Sequence, residues 1–232
     1  MPATVPQLPD CFSASILSCN LACLGEEIHA VIDAGADRIH FDVMDNHYVP
    51  NLSFGPAVFE ALKPYALKVS GSPVAIEVHL MVQPVDTIAE TFVRSGASLV
   101  SFHIDASPHV ANSLKLIRAL GAQTGLVFSP DEPLGQLSAV LDLVDLVLIM
   151  GVTPGFGAQE FIESTLPKLA QVRRLLDSSG RSIRLAVDGG VKIENIRRIA
   201  DAGADTFVIG SAIFETSDYK ASIDAFRHAL EK

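Results

Sequence analysis

Short apolar runs alternate along this chain with longer amphipathic segments. The apolar runs are four to eight residues long, rich in Val, Ile, Leu and Phe, and bounded by polar residues and glycine, which is typical of buried strands. They cover residues 12–17, 38–43, 74–81, 99–104, 125–128, 146–150, 184–187 and 206–209. The segments between them have helical spacing of apolar positions and predict helices over residues 24–34, 56–65, 85–95, 110–120, 134–141, 166–178, 193–202 and 219–230.

Several predicted helices end in the same way. A glycine followed by an alanine leads into an apolar strand at Gly35, Gly96, Gly121 and Gly203. Glycine fits the position just after a helix, where the chain turns through a positive φ. The repeated joint therefore predicts parallel strand–helix units of about 20 to 30 residues.

Eight strands and eight helices in a chain of 232 residues favour a single-domain (β/α)8 TIM barrel over residues 11–232. The proline-rich residues 1–10 are predicted to form an N-terminal extension. A doubly wound open sheet is the alternative, but it would be expected to carry a Gly-x-Gly-x-x-Gly turn after its first strand. Residues 15–20 read Ser-Ile-Leu-Ser-Cys-Asn and lack that turn.

The charge of the chain limits its partners. The formal net charge is −10, so we expect no nucleic acid and no anionic membrane surface. An anionic small molecule would need local help from backbone N–H groups. The most apolar window, Leu143 to Met150, contains Asp145 and is too short to span a bilayer.

Cysteine usage indicates a reducing compartment. Cys11, Cys19 and Cys23 form an odd, clustered set, which is typical of free thiols in a cytoplasmic protein. No Lys or Arg precedes Arg38, so the basic region of a signal peptide is missing. We therefore expect a cytoplasmic location.

Polar residues gather at the predicted carboxyl ends of strands, where barrel enzymes carry their chemistry. His40 and Asp42 share one face of the second strand, His79 ends the third, and Asp188 follows the seventh. Two histidines and two carboxylates suit one divalent ion such as Zn, Fe(II), Mn or Co, with positions left for substrate oxygens. Glu77 shares a face with His79 and is either a partner of the ligands or a polar residue lining the barrel.

Methionines and glycine-rich loops also lie at the predicted carboxyl ends of the strands. Apart from Met1, the methionines of the chain are Met44, Met81 and Met150, and all three fall at strand ends, which suggests an apolar cap over a planar intermediate. Glycine-rich loops follow strands six, seven and eight, where barrels usually bind phosphate. Glycine lets phosphate oxygens approach backbone N–H groups. His103 ends strand four and is a weaker candidate for a contact with substrate.

Together these features predict acid–base chemistry on a phosphorylated sugar. An ion that holds adjacent carbonyl and hydroxyl oxygens acidifies the C–H bond between them. One aspartate would remove that proton and the other would return one to the opposite face through an ene-diolate. Asp42 and Asp188 are therefore the candidate catalytic pair.

Six motifs resemble the ribulose-phosphate 3-epimerase family over nearly the whole chain: Ser15-Ile-Leu-Ser18, His40-Phe-Asp-Val-Met-Asp-Asn-His-Tyr-Val-Pro-Asn51, Val78-His-Leu-Met81, Pro154-Gly-Phe-Gly157, Val187-Asp-Gly-Gly-Val191 and Gly210-Ser-Ala-Ile-Phe214. The resemblance implies metal-dependent interconversion of D-ribulose 5-phosphate and D-xylulose 5-phosphate, in the pentose phosphate pathway or in carbon fixation. It also implies that Asp42 and Asp188 act both as catalytic residues and as ligands beside His40 and His79. The substrate-binding residues that it implies are Ser15, His79, Gly155, Phe156, Gly157, Ala158, Gly189, Gly190, Gly210 and Ser211.

The chain departs from the family pattern in three places. The usual Ser-Ala-Asp-Phe after strand one reads Ser18-Cys19-Asn20-Leu21, and the usual Asn-Pro-Gly-Phe-Gly-Gly loop begins with Thr153 and ends with Ala158. An acid or amide common before Val-Asp-Gly-Gly is Ala186. These changes concern the surroundings of the metal and the shape of the phosphate loop, and they leave every proposed ligand in place.

Two other functions compete with the epimerase on a ketopentose phosphate. One is a 3-epimerase of a hexulose 6-phosphate, because loops set the length of substrate that a barrel accepts. The other is a catalytically silent phosphosugar-binding barrel, which would not need both Asp42 and Asp188. We further expect a homo-oligomer.

Overall fold

The computed structural model describes residues 8–231, and the strands among them form one closed parallel barrel in sequence order. Each strand pairs with its neighbours in the chain, and β8 closes the barrel against β1. The strands are β1 Cys11–Ser15, β2 Arg38–Met44, β3 Ala75–Met81, β4 Leu99–His103, β5 Gln123–Phe128, β6 Leu146–Met150, β7 Arg184–Asp188 and β8 Thr206–Ile209. The predicted (β/α)8 barrel is confirmed.

Helices return the chain from one strand to the next on the outside of the barrel. They are α1 Leu24–Asp33, α2 Pro56–Leu62, α3 Asp86–Arg94, α4 Val110–Ala119, α5 Thr165–Ser178, α6 Ile196–Asp201, α7 Ser211–Phe214 and α8 Tyr219–Glu231. The glycines at the predicted helix ends have the expected positive φ, for example +111° at Gly35 and +109° at Gly203.

The helix predicted over residues 134–141 is wrong. Two short 3-10 turns, Leu137–Ala139 and Leu141–Leu143, connect β5 to β6 instead. Pro133 and Gly135 disfavour a helix at the start of this segment, and the chain reaches β6 soon after it. The apolar spacing still reflects burial, because Leu137 is fully buried in the main apolar core.

Smaller differences lie at element ends. β1 ends at Ser15, two residues earlier than predicted, because Ile16–Ser18 form a 3-10 turn. α6 begins at Ile196, since the Asn195 side chain turns back to accept a hydrogen bond from the backbone N–H of Lys192 at 2.8 Å. The four-residue helix α7 was not predicted.

Most of the apolar core lies between the barrel and its helices. Phe41, Phe59 and Phe92 pack there at ring separations of 5.5 to 5.9 Å. A smaller cluster fills the barrel interior, and it includes Val127, Leu148 and Val208. Such filling leaves the barrel without a channel and confines chemistry to its mouth.

Parallel register brings the predicted site residues side by side. On β2 and β3, His40 is opposite Glu77 and Asp42 is opposite His79. On β6 and β7, Met150 is opposite Asp188. Asp42, His79, Met150 and Asp188 lie toward the carboxyl ends of their strands, and His40 and Glu77 lie two residues before Asp42 and His79 on the same strand faces.

Of the predicted extension over residues 1–10, residues 1–7 lie outside the described part of the chain. Pro9 accepts a hydrogen bond through its carbonyl from Arg184 at 3.1 Å, so the chain enters β1 near the amino end of β7. Among residues 8–231, no helix combines the length and the apolar character needed to cross a membrane.

Candidate metal centre and active site

The four predicted ligands converge at the carboxyl end of the barrel. His40 Nε2 lies 3.3 Å from Asp42 Oδ1, and His79 Nδ1 lies 3.1 Å from the same oxygen. Asp188 Oδ2 lies 3.6 Å from His40 Nε2 and 3.5 Å from His79 Nδ1. All four atoms fall within 4.8 Å of one another.

These spacings fit a single divalent ion. Oxygen and nitrogen ligands about 2.0–2.2 Å from one tetrahedral ion lie about 3.3–3.6 Å from each other. The separation of 3.4 Å between His40 Nε2 and His79 Nδ1 agrees with this geometry. Two imidazole nitrogens and two carboxylate oxygens aimed at one point can therefore hold a metal ion.

The ring of His40 is oriented by a buried carboxylate. Its Nδ1 donates to Glu77 Oε1 at 3.1 Å, which leaves Nε2 facing the ligand cluster. The same Glu77 oxygen accepts from Ser13 Oγ at 2.5 Å, and Oε2 accepts from Arg38 Nη1 at 3.2 Å. Although burial opposes ionisation, these donors lower the pKa of Glu77 to about 2. Glu77 is thus a charged partner of a candidate ligand, the first of the two roles that the sequence left open.

One carboxylate oxygen of Asp42 faces the ligand cluster, and the other faces Ser15. Ser15 Oγ donates to Asp42 Oδ2 at 2.7 Å, while Oδ1 points to both histidines. Burial opposes the charge, yet His40 and His79 hold the pKa of Asp42 well below its ordinary value. Conversely, the pKa of His40 is raised well above its ordinary value, because the nearby carboxylates outweigh its burial. The carboxylates of the cluster therefore stabilise a positive charge at its centre.

His79 is held from its far side by a third histidine. Its Nε2 lies 3.0 Å from His103 Nε2, and the two ring planes are inclined by 24° with centroids 5.1 Å apart. Burial together with His79 keeps the pKa of His103 well below its ordinary value. His103, predicted as a weaker candidate for substrate contact, contacts a candidate ligand.

A cavity of ≈ 230 Å³ opens directly above the cluster. Asp42 and Asp188 reach it from opposite parts of the barrel wall, whereas His40 and His79 are buried below it. Every other site residue that the sequence predicted lines this cavity: Ser15, Met44, Met81, Met150, Gly155, Phe156, Gly157, Ala158, Gly189, Gly190, Gly210 and Ser211.

The three methionines occupy two different environments. Met44 and Met81 pack with Val49 at the mouth, against Tyr48 of the loop that follows β2. Met150 belongs to the cluster that fills the barrel interior. All three expose part of their surface to the cavity, which is thus apolar beside the two aspartates.

Glycine is required in the loop after β7. Gly189 and Gly190 have φ values of +98° and +69°, which disfavour any other residue. A Cβ at Gly190 would also lie 2.5 Å from the backbone nitrogen of Phe161. The tight turn lets the loop pack under the segment after β6 and brings both loops to one side of the cavity.

Ala158 has a φ of +56°, in the left-handed region that favours glycine. This is the position where the related motif usually has glycine, so the substitution keeps the loop shape at a cost in strain. Within the loop, Gln159 Nε2 donates to the carbonyls of Thr153 at 2.7 Å and Phe156 at 2.8 Å. Asn51 donates to the Gly155 carbonyl at 2.8 Å, which ties this loop to the one after β2.

The other departures lie beside the site. The side chain of Asn20 caps the turn that begins at Leu21, and Cys19 Sγ donates to the Ile16 carbonyl at 3.1 Å. Ala186 is buried in the barrel interior next to Val208 and Leu148. None of the three reaches the ligand atoms.

Some residues near the site were missed from the sequence. Ser13 contacts Glu77, and Ser18, Lys192 and Glu215 line the cavity. Ser18 lies between two glycine loops, because its Oγ would be 2.6 Å from a Cβ at Gly210 and 3.5 Å from a Cβ at Gly157. Strand alternation could have revealed Ser13, which has the same parity as Ser15, whereas the loop residues carry no comparable signal.

The remaining histidines are away from the cavity. His29 and His228 are exposed on α1 and α8. His47 and His109, which lie in loops at the mouth, are exposed and do not line the cavity.

A barrel that places glycine-rich loops over a candidate metal cluster is typical of enzymes that act on phosphorylated metabolites. Comparison with known proteins narrows this class. Residues 11–214 match the Ribulose-phosphate 3 epimerase family. The chain belongs to the ribulose-phosphate 3-epimerase family.

Close relatives cover nearly the whole chain. Ribulose-phosphate 3-epimerase of Serratia marcescens is 56% identical over 206 residues, covering 89% of this chain and 96% of the relative. Ribulose-phosphate 3-epimerase of Escherichia coli K12 is 54% identical over 218 residues, covering 94% and 95%. Among solved structures, KGPDC from Streptococcus mutans has a TM-score of 0.71 and 16% identity over 97% of this chain and 98% of that one, a likeness of fold alone.

Proposed function

We propose that this protein interconverts D-ribulose 5-phosphate and D-xylulose 5-phosphate by two-base proton transfer at C3. One observation carries the proposal: Asp42 on β2 and Asp188 on β7 both face the cavity, across the same ligand cluster. Inversion at a carbon requires a proton to leave one face and another to arrive at the opposite face. Two carboxylates on opposite parts of the barrel wall can serve both faces.

We further propose that His40, Asp42, His79 and Asp188 hold one Zn, Fe(II), Mn or Co ion. When bound, such an ion would polarise the substrate's C2 carbonyl and C3 hydroxyl and so acidify the C3 proton. The support is the spacing of the four ligand atoms, all within 4.8 Å of one another, and the buried carboxylate on His40.

The two aspartates share the proton transfer. In one direction the carboxylate on one side of the sugar accepts the C3 proton, and the protonated aspartate on the other side donates to the opposite face. In the reverse direction they exchange roles, so the resting enzyme must hold the pair in opposite protonation states. Ser15 Oγ, 2.7 Å from Asp42 Oδ2, keeps that carboxyl in a fixed orientation. Each transfer contributes about 10²- to 10⁴-fold to the rate.

Substrate recognition divides between the two ends of the sugar. We assign phosphate binding to Gly155–Ala158, Gly189–Gly190 and Gly210–Ser211, whose loops line one side of the cavity. The absence or small size of their side chains lets phosphate oxygens approach the backbone N–H groups. Ser15 would contact the reacting end, whereas His79, which is buried below the cavity, would act on it through the ion that it helps to hold. Met44, Met81 and Met150 would shield the planar ene-diolate from water.

Activity and the two-base assignment can be tested together. Metal-loaded wild type should convert either ketopentose phosphate into the other, as measured by NMR of the substrate mixture. Asp42→Asn and Asp188→Asn should each lose about 10²- to 10⁴-fold while staying folded. Asp201→Asn, which changes an exposed aspartate on α6, is the matched control and should keep full activity. Near-normal turnover by either of the two site variants would refute the scheme.

The preference for substrate length has its own experiment. Turnover of the six-carbon analogue, a hexulose 6-phosphate, should be much slower than that of the five-carbon substrate. The opposite order would favour the hexulose epimerase. No turnover of either, with retained binding, would favour a phosphosugar-binding protein.

We also propose that the protein is cytoplasmic and forms a homo-oligomer. The cytoplasmic location is supported by the free cysteines, two of which are buried. Light scattering of the purified protein should give a multiple of 24.7 kDa. A monomeric mass across the concentration range would refute the oligomer.

A further inference from the structure

His103 is a buried histidine at the end of β4 that the proposed chemistry does not use. It lies outside the four-ligand cluster, with no exposed surface. Its Nε2 is 3.0 Å from Nε2 of His79, and its Nδ1 is 3.5 Å from Ser129 Oγ. The His103 ring lies between those of His79 and Tyr48, with its centroid 5.1 Å from each and its plane inclined by 24° to His79 and by 44° to Tyr48.

The geometry defines which of the two facing nitrogens donates. His79 directs Nδ1 at the ligand cluster, so with the ion bound a lone pair must reside on Nδ1 and the proton of the neutral ring on Nε2. That N–H points at His103 Nε2, which must then accept. A proton on His103 Nε2 would set two N–H groups against each other at 3.0 Å.

We propose that His103 is a positioning residue of the metal centre, a neutral hydrogen-bond acceptor that fixes the tautomer and ring orientation of His79. Its proton resides on Nδ1, on the side of Ser129. The tautomer of a ligand histidine is normally fixed by a carboxylate, a backbone carbonyl or water. Here the acceptor is a second imidazole that is not a ligand.

The two ligand histidines are consequently supported in different ways. His40 donates to the Glu77 carboxylate, which increases the basicity of its ring, whereas His79 donates to an uncharged ring. A neutral acceptor leaves His79 the weaker electron donor. The ion would therefore retain more of its Lewis acidity than it would with a carboxylate at both positions.

Tyr48 encloses this arrangement from the mouth. Its ring lies against that of His103 at an angle of 44°, with centroids 5.1 Å apart, and its hydroxyl donates to Asp105 Oδ1 at 2.6 Å. His103 is fully buried, so water does not compete with its Nε2 as an acceptor. The pair also connects the loop after β2 to the ligand histidine.

The inference rests on the proposed metal site, so its test measures metal binding without substrate. We suggest His103→Leu, which keeps the bulk but has no acceptor, and His103→Gln, whose amide oxygen can replace Nε2. His228→Gln on α8 is the matched control, because it removes an exposed imidazole. Each protein is titrated with Co(II) against a chromophoric chelator, and the visible absorption spectrum of bound Co(II) is recorded.

We expect His103→Leu to bind Co(II) about 10- to 100-fold more weakly than wild type and to change the Co(II) spectrum. His103→Gln should restore most of the affinity, and His228→Gln should match wild type. Wild-type affinity and spectrum for His103→Leu would overturn the role of His103 while leaving the metal site intact. Failure of wild type itself to bind Co(II) or Zn(II) would overturn both.

A second measurement needs no variant and covers the case in which His103→Leu does not fold. Two-dimensional ¹H–¹⁵N NMR of the Zn(II)-loaded wild type reports which ring nitrogen of each histidine carries a proton. The inference requires a proton on Nδ1 of His103 and on Nε2 of His79. A proton on Nε2 of His103 would contradict it.

Discussion

Replacing Glu77 with glutamine changes one atom of a buried carboxylate that three donors share. Oε1 accepts from His40 Nδ1 at 3.1 Å and from Ser13 Oγ at 2.5 Å, and Oε2 accepts from Arg38 Nη1 at 3.2 Å. Glutamine has a single acceptor oxygen. If that oxygen takes the Oε1 position, the NH₂ group faces the Arg38 guanidinium. If the amide flips, the NH₂ group faces His40 and Ser13 instead.

Either orientation loses at least one charge-assisted hydrogen bond, each worth about 1.5–3 kcal/mol. The free energy of unfolding of the metal-free protein should fall by about that amount. Arg38 keeps a side-chain exposure of 20%, so water can partly replace its lost partner and the larger penalty of a fully buried unpaired charge is avoided. Because His40 also loses its anionic partner, metal affinity should fall about 10- to 100-fold, or about 1.4–2.7 kcal/mol.

Two assays separate these effects. Urea unfolding in the presence of a chelator gives the free energy of unfolding, and Co(II) competition titration gives the affinity. Glu90→Gln makes the same chemical change in an exposed ion pair with Arg94 on α3 and should stay within about 0.5 kcal/mol of wild type in stability. Its Co(II) affinity should be unchanged.

The result that would refute this reasoning is Glu77→Gln with the metal affinity and stability of wild type. It would mean that Glu77 merely lines the barrel. Loss of stability with unchanged affinity would restrict its role to the ion pair with Arg38.

Two further predictions address the phosphate loop and the thiols. Ala158→Gly should raise the free energy of unfolding by about 0.5–1 kcal/mol, because relief of the left-handed strain at φ +56° exceeds the added flexibility of the unfolded chain. Thermal unfolding would then shift upward by about 1–4 °C, and a downward shift would be contrary to the strain argument. Burial raises the pKa of Cys11 to about 11 and that of Cys19 to about 12, so iodoacetamide at pH 8 should label Cys23 well before either. Peptide mapping by mass spectrometry measures the order, and equal labelling of all three in the native protein would contradict the burial.

The barrel was predictable from sequence because its signals are local. Buried strands and glycine-ended helices have their own residue patterns, and all eight predicted strands are present. The predicted helix over residues 134–141 failed where the pattern was weakest, in a proline- and glycine-containing segment. Its buried apolar spacing is equally compatible with 3-10 turns.

The convergence of the four candidate ligands could be predicted from strand ends once the fold was known. Side-chain contacts between neighbouring strands could not be predicted in this way. Glu77 contacts His40 because the register of β2 and β3 places the two residues opposite each other. His103 contacts His79 because β4 brings its ring within hydrogen-bonding distance. A sequence alone does not define such register or side-chain direction, so the role of Glu77, which the sequence left open, and the contact of His103 with His79 became apparent only in the structure.

The central claim is two-base inversion at C3, and solvent exchange tests it most directly. Metal-loaded wild type is given D-ribulose 5-phosphate in D₂O, and ¹H NMR follows C3 at low conversion. If Asp42 and Asp188 act from opposite faces, the D-xylulose 5-phosphate formed should carry one deuterium at C3 while the recovered substrate remains protiated. Product that retains the substrate's own C3 proton, or the absence of any conversion and exchange, would contradict the account.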